Sequence, residues 1–155
     1  MKITNNQVFA AHNYLSQLEL SKFGKDVRIA IYKNVGELNA AVKAVQDKME
    51  TSKKELFKGL EEEASKVAEL RNEFNVEKTT QERKEEIINE LGKYITYFEK
   101  EREFIEITNQ FGIDEVEISL NTIDFNKFVD GLIESGKEFT AGQLHSLSFI
   151  FNKIK

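Results

Sequence analysis

The fold is decided by residues 27–74, which read VRIAIYKNVGELNAAVKAVQDKMETSKKELFKGLEEEASKVAELRNEF. Apolar side chains recur along this stretch at steps of three, four or seven residues. They are Ile31, Val35, Leu38, Val42, Val45, Met49, Leu56, Leu60, Val67, Leu70 and Phe74. This spacing places them on one face of an α-helix, as in the seam of a coiled coil. We expect one helix from Val27 to about Phe74, in which Gly36 and Gly59 are candidate bends or points of close packing.

A second apolar stripe further along the chain predicts the partner of this helix. The stripe is formed by Ile88, Leu91, Ile95, Phe98 and Ile105 at heptad spacing, together with Arg102. Thr79 followed by Glu82 predicts a capping box at the start of the second helix. A helix as long as the first cannot bury its seam alone, so it needs a partner helix. If the chain reverses near residues 75–79, the two seams face each other in an antiparallel helical hairpin over residues 27–110.

A shorter helix precedes the hairpin. We expect it to begin near Thr4 or Asn5, both good N-cap residues. Its apolar face is formed by Val8, Ala11, Leu15 and Leu18. Gly24 is the expected left-handed residue of the following turn, and Asp26 the expected cap of the next helix.

The pattern changes after residue 112. Val116, Ile118 and Leu120 alternate with polar residues, which predicts a short strand whose pairing partner the sequence does not identify. Two helices are expected after this strand. The first is capped by Asp124, runs from Phe125 to about Ser135 with Phe128, Leu132 and Ile133 inward, and ends at Gly136; the second follows a Thr140–Gln143 capping box and buries Leu144, Leu147, Phe151 and Ile154.

The predicted fold class is therefore mainly α. We expect a single domain over residues 1–155, in which a coiled-coil-like hairpin carries an N-terminal helix and a small C-terminal helical unit (residues 111–155) with one short strand. The composition agrees, because the chain has no proline and only 8 glycines. A β-sandwich or barrel would need many more turn-forming residues.

Composition and charge narrow the classes of partner. The chain carries 27 acidic and 22 basic residues, a net charge of -5, which disfavours direct binding to nucleic acid and leaves a basic protein surface as an open partner. There are no cysteines, so disulfides and cysteine-based zinc sites are excluded. No apolar run reaches the ~20 residues that span a bilayer, and no signal peptide is recognisable. We therefore expect a cytoplasmic protein without a membrane partner.

The sequence offers little for catalysis. His12 and His145 are the only histidines, and neither shares a metal-ligand spacing with neighbouring carboxylates. Glu-x-x-His, calcium-loop, phosphate-loop and nucleophile-elbow motifs are absent. We expect no catalytic residues, no cofactor and no metal site, and we regard an enzyme as the least favoured class.

Two groups of aromatic residues are candidate contact surfaces. Tyr94 and Tyr97 flank the second stripe, where they either pack inside the hairpin or form a partner-binding patch. Phe149 and Phe151 stand on either side of another apolar residue in the last helix, so that helix is either buried on several sides or contacts a partner. These four residues are the predicted partner-binding residues. A homodimer is the alternative, because the same stripes could pair between two copies.

The whole pattern resembles a family of small uncharacterised proteins from tailed phages of Gram-positive bacteria. The segments that carry the resemblance are Lys2-Ile3-Thr4-Asn5, the stretch from Val27 to Lys33-Asn34, the short strand Val116-Glu117-Ile118 and the final helix from Thr140 to Phe151. The resemblance implies a phage setting and no catalytic residues. For such a protein we expect stoichiometric binding to a host or phage protein in the host cytoplasm. Inhibition of a host defence or host process is the expected role, and virion or tail assembly is the alternative.

Overall fold

A computed structural model describes residues 1–152; the expected contribution of Ile154 to the last helix lies outside them. Helices make up 74% of the structure, which confirms the mainly α fold class. The elements in chain order are β1 (Lys2–Thr4), α1 (Asn5–Ser16), α2 (Lys25–Leu56), α3 (Glu61–Asn75), α4 (Gln81–Leu91), α5 (Ile95–Ile113), β2 (Glu115–Glu117), α6 (Phe125–Glu134) and α7 (Ala141–Leu147), with short 3-10 turns at Leu20–Lys22 and Ser148–Ile150. No helix within residues 1–152 combines the length and apolarity needed to cross a bilayer.

The chain divides into two compact units. The first contains Met1–Asp47 and the chain from Phe111 onward, and the second contains Lys48–Gln110. Helix α2 therefore contributes its first two-thirds to the first unit, and α5 contributes most of its length to the second.

The predicted strand lies in the first unit, and its partner is the N-terminal segment. β1 and β2 form an antiparallel pair in which Ile3 is opposite Val116. Beyond the pair, the Ile118 amide donates to the Met1 carbonyl at 2.9 Å. The strand is shorter than expected: the alternation of apolar residues runs to Leu120, whereas β2 ends at Glu117.

The core of the first unit is built from α1, the start of α2 and the C-terminal helices. Its fully buried side chains include Val8, Leu15, Val27, Ile31, Leu38, Ile123, Phe128, Leu132, Leu147 and Ile150. The expected helix starts at Thr4, Asp124 and Thr140 are confirmed, since each of these side chains accepts a hydrogen bond from the backbone amide three residues ahead. These caps satisfy amides that the first helical turn leaves without a partner.

Three expectations for the first unit are wrong. Gly24 has no positive φ, since the reversal is made by the Leu20–Lys22 turn and an extended Phe23. Asp26 is already in the first turn of α2, which begins at Lys25. Ile133 is 68% exposed, because α6 turns Phe128 and Leu132 toward the core and leaves Ile133 on its outer face.

The second unit corrects the length of the predicted hairpin helices. The helix expected over Val27–Phe74 ends at Leu56 and restarts at Glu61, and Gly59 in the break has φ 84°, a conformation that favours glycine. The second long helix is also interrupted, between Leu91 and Ile95. Gly36 remains inside an uninterrupted α2.

The predicted reversal between the two stripes is confirmed at residues 76–80. Glu73 near the end of α3 accepts two hydrogen bonds from Arg83 near the start of α4, at 2.7 and 2.9 Å, so the two helices return alongside each other. The cap of α4 is Thr80 rather than Thr79, whose hydroxyl donates to the Glu73 carbonyl at 2.6 Å. The register of this turn is therefore one residue later than the capping-box pattern predicted.

Only part of the predicted second seam is buried, since Leu91 and Phe98 are half-buried. Ile88, Ile95 and Ile105 are 58%, 64% and 58% exposed. Val67 and Leu70 of the first stripe are buried as expected, and in α4 the buried side chain is Ile87, the neighbour of Ile88. The heptad stripe of α4 and α5 is thus largely a solvent-facing surface.

Candidate functional site

An apolar cleft of the first unit lies along α6 and the start of α7, and we call it the α6–α7 groove. It has a volume of about 480 Å³. Its lining residues are Phe125, Val129, Leu132, Ile133, Lys137, Glu138, Phe139 and Leu144. Six of these eight side chains are apolar, so the groove presents an apolar floor with charge at one end.

An aromatic cluster forms the wall of this groove. The ring centroid of Phe139 lies 5.7 Å from Phe128 and 6.0 Å from Phe151, and that of Phe125 lies 5.3 Å from Phe151. Edge and tilted ring contacts at these distances are favourable beyond the area they bury. Tyr14 of α1 extends the cluster, with its ring 5.7 Å from Phe139. The wall of the groove is therefore formed by well-packed aromatic side chains.

Close packing of α6 on the core fixes which of its side chains face outward. Gly131 faces the Phe23 ring so closely that a Cβ there would be 2.4 Å from the Phe23 Cδ1 atom. The helix packs its small face against the core through this contact. Its opposite face carries Ile133, Asp130 and Glu134, all exposed. An exposed isoleucine beside an apolar cleft is the kind of surface that partner proteins cover.

The charges around the groove are predominantly negative. Asp130 and Glu134 lie on the outer face of α6, and Glu138 and Lys137 line the groove itself. The Lys137 ammonium is also 3.5 Å from the Gln17 carbonyl oxygen. The groove lining itself carries one charge of each sign, and Asp130 and Glu134 add two carboxylates on the exposed face of α6.

A hydrogen-bonded pair of asparagines fixes the segment that leads into α6. Asn34 of α2 is fully buried, and its Nδ2 donates to the Asn121 carbonyl at 2.9 Å. Its Oδ1 accepts from the Asn121 backbone amide at 2.7 Å. A buried side-chain amide that binds both backbone groups of one residue holds that residue in a single position. The pair therefore positions the chain just before Asp124 caps α6.

Two predicted partner-binding residues lie in the first unit. Phe151 is only 9% exposed and packs against Phe125, Phe128 and Phe139, so it is part of the core. Phe149 is half-buried and packs against the same core. The last helix was expected either to be buried on several sides or to contact a partner. For Phe151, the first interpretation applies.

The other two predicted residues lie in the second unit. Tyr97 is half-buried, with its ring 5.3 Å from Phe57 and 5.7 Å from Phe98. Burial, reinforced by the neighbouring Glu101 carboxylate, raises the pKa of Tyr97. The Glu101 carboxylate binds both terminal nitrogens of Arg71 at 2.7 Å, and this ion pair lowers the pKa of Glu101. Tyr97 thus packs inside its unit.

Tyr94 has more accessible surroundings. It is half-buried and lines a cleft of about 620 Å³. The other lining residues are Gly59, Glu61, Glu62, Glu63, Ser65, Lys66 and Glu69. Several of these charges are already partnered, since Glu61 accepts from the Gly59 amide and Lys66 pairs with Glu69. The four predicted residues are therefore not brought together into one site.

The histidines and carboxylates of residues 1–152 are the remaining candidates for a metal site. His12 is half-buried in α1, and His145 is exposed in α7. Within residues 1–152 no group of three or more histidine, aspartate or glutamate side chains is arranged to hold a metal ion. The prediction that the protein is not an enzyme stays a prediction.

Sequence reasoning missed the α6–α7 groove, although a signal for it is present. Leu132 and Ile133 are adjacent apolar residues in a helix, and adjacent positions differ by about 100° around the helix axis. They cannot both face one core. The argument from neighbouring apolar residues was applied to Phe149 and Phe151. Applied to Leu132 and Ile133, it indicates that one of the two is exposed, and this residue is Ile133.

Comparisons with known proteins found no similar chain: no family model, no curated protein and no solved structure matches. The resemblance to the phage proteins therefore stays a prediction.

Proposed function

We propose that this protein acts without catalysis, by binding a protein partner in a stoichiometric complex through the α6–α7 groove. The observation that carries the proposal is the 68% exposure of Ile133 at the edge of an apolar cleft of about 480 Å³. Covering Ile133 and the adjoining Val129 and Phe125 removes apolar surface from water, which is the main driving force of protein association.

The shape and charge of the groove define the partner. An apolar cleft along a helix suits an amphipathic helix whose apolar side chains repeat at i, i+3 or i+4, and i+7. The excess of carboxylates at Asp130, Glu134 and Glu138 favours lysine or arginine beside those apolar positions. The net charge of -5 acts in the same direction over longer distances. The proposed partner is therefore a basic amphipathic helix of another protein, and not nucleic acid.

The biological role follows from the phage setting that the sequence resemblance implies. In that setting we propose that the partner is a host protein in the cytoplasm and that binding inhibits a host defence or another host process. The inhibitor role rests on the resemblance, whereas the groove rests on the contacts described above. The two parts of the proposal therefore have separate tests.

The groove is tested with a synthetic probe and a matched pair of variants. The probe is a peptide helix with leucines at i, i+4 and i+7 flanked by lysines, titrated into the ¹⁵N-labelled protein. We expect amide shifts concentrated in residues 125–144. Ile133→Glu should weaken binding about thirtyfold or more, since a truncated interface hot spot costs at least ~2 kcal/mol. Ile29→Glu, at an isoleucine that is 45% exposed in the same unit, should leave binding unchanged.

Two results would count against the groove. One is a set of shifts that lie outside residues 125–144, and the other is equal weakening by Ile133→Glu and Ile29→Glu. Circular dichroism of both variants checks that they remain folded. A lysine-free version of the peptide separates the electrostatic part of binding from the apolar part.

The inhibitor role is tested in cells. The wild-type protein and Ile133→Glu are expressed in bacteria that carry a defence system, and plating efficiency of a sensitive phage is measured. Protection of the phage by the wild type alone supports the role. Equal plating on cells with the wild type and with Ile133→Glu, together with detection of the protein in purified virions, would instead favour the assembly role.

A further inference from the structure

One face of α5 carries a stripe of three apolar residues and one arginine that are spaced symmetrically about residue 100. Ile95 and Ile105 each lie five positions from that point, and Phe98 and Arg102 each lie two positions from it. Ile95 and Ile105 are 64% and 58% exposed. A shallow depression of about 290 Å³ adjoins the stripe, and Ile95, Phe98 and Arg102 are among its lining residues. The symmetric spacing and the exposure occur on the same helix face.

We propose that α5 pairs with α5 of a second copy of this chain, in an antiparallel dimer about a two-fold axis at the level of residue 100. In a two-fold contact, residue i of one copy meets residue j of the other, and j meets i. Ile95 then faces Ile105, and Phe98 faces Arg102, on both sides of the axis. The 3-4-3 spacing of these positions is the pattern of a coiled-coil seam. This inference is independent of the α6–α7 groove.

The charges on the stripe favour a second copy over an unrelated partner. Within residues 1–152 neither Glu99 nor Arg102 forms an ion pair. In the antiparallel arrangement, Arg102 of each copy lies beside Glu99 of the other. The stripe therefore supplies both the acid and the base of two symmetric ion pairs, and a copy of itself is charge-complementary to it.

The aromatic residue of the stripe suits the same arrangement. The Arg71 guanidinium lies 5.2 Å from the Phe98 ring centroid within one chain. Phe98 also lines the depression beside α5. There the second copy's Arg102 would reach the ring, a contact of the cation–π type.

Cysteine cross-linking tests the register. The chain has no cysteine, so Ile95→Cys and Ile105→Cys each introduce a single thiol. In the proposed dimer, position 95 faces position 105, whereas the two copies of position 95 are about 15 Å apart along the axis at ~1.5 Å per residue. Mild oxidation of an equimolar mixture should therefore yield cross-linked dimer, and oxidation of either variant alone should not. A disulfide needs Cα atoms within about 7 Å, so the readout is selective.

Charge reversal tests the ion pairs by sedimentation over protein concentrations from about 10 μM to about 1 mM, a range that spans weak association. Glu99→Arg and Arg102→Glu should each weaken dimerisation about tenfold, since two exposed pairs are lost and like charges meet. The double variant should restore it, because it reverses both partners. A wild type that is monomeric throughout, or cross-linking of Ile95→Cys alone as strong as that of the mixture, would overturn the proposal. A double variant no tighter than the singles would overturn the ion pairs.

Discussion

Replacement of Asn34 by alanine tests whether the asparagine pair holds the first unit together. Asn34 is 0% exposed, and it binds both the amide and the carbonyl of Asn121, at 2.7 and 2.9 Å. A third contact, between the two side chains at 3.3 Å, is weaker. Since Asn121 belongs to the segment before α6, loss of these bonds frees the entrance to that helix.

The magnitude follows from the contacts. Each hydrogen bond to the Asn121 backbone contributes about 1 kcal/mol, so their loss costs about 2 kcal/mol. Removing a fully buried side chain adds about 1 kcal/mol for the contacts and volume lost. Water reaches Asn121, which is exposed, and this limits the penalty for its freed backbone groups. We therefore expect Asn34→Ala to lower the free energy of unfolding by about 2–3 kcal/mol.

The assay compares this variant with Asn39→Ala, which alters an exposed asparagine of the same helix. Urea unfolding followed by circular dichroism gives the free energies. A melting temperature about 4–12 °C lower is expected for Asn34→Ala, at about 2–4 °C per kcal/mol for a chain of this size. Hydrogen exchange at the Asn121 amide should accelerate only in Asn34→Ala. If the two variants unfold within about 0.5 kcal/mol of each other, the pair does not hold the unit together.

Two further pairs of variants test the packing. Gly131→Ala should destabilise by about 2–3 kcal/mol, because the new Cβ meets the buried Phe23 ring at 2.4 Å. Gly36→Ala should stabilise by about 0.5–1 kcal/mol, because nothing lies within 4 Å of a Cβ there. Thermal unfolding of both variants and the wild type measures these differences. Phe151→Ala should destabilise by about 3–5 kcal/mol as a core truncation, and Tyr94→Ala by less than about 1.5 kcal/mol at its half-buried site. Equal losses for Phe151→Ala and Tyr94→Ala in chemical denaturation would show that Phe151 is not a core residue.

The sequence by itself determined the helical class and most helix starts. Thr4, Asp124 and Thr140 cap their helices as expected, because a cap depends on a side chain and backbone amides only three residues away. The start of α2 and the reversal at residues 76–80 also followed from local spacing, with errors of one or two residues. Such features need no knowledge of the rest of the chain.

The buried face of α2 shows where local spacing becomes insufficient. The expected seam contained Val35, whereas the structure buries Asn34 and leaves Val35 partly exposed. The two positions are adjacent, and hydrophobicity alone favours valine. Asn34 is selected because Asn121, 87 positions further along the chain, supplies its hydrogen-bond partners. A polar residue is acceptable in a core only when such a partner exists.

Only the tertiary structure decided which apolar stripes are buried and which meet solvent. The short strand pairs with Lys2–Thr4, a segment more than 100 positions away in the sequence. A local sequence pattern cannot identify a partner at that separation. Gly59 was recognised as a candidate bend and lies in the break after α2, whereas the break between Leu91 and Ile95 was not predicted. Ile88, Ile95 and Ile105 remain exposed although their spacing is that of a buried seam. Periodicity defines the face of a helix, but the elements that pack against that face are set by the path of the whole chain.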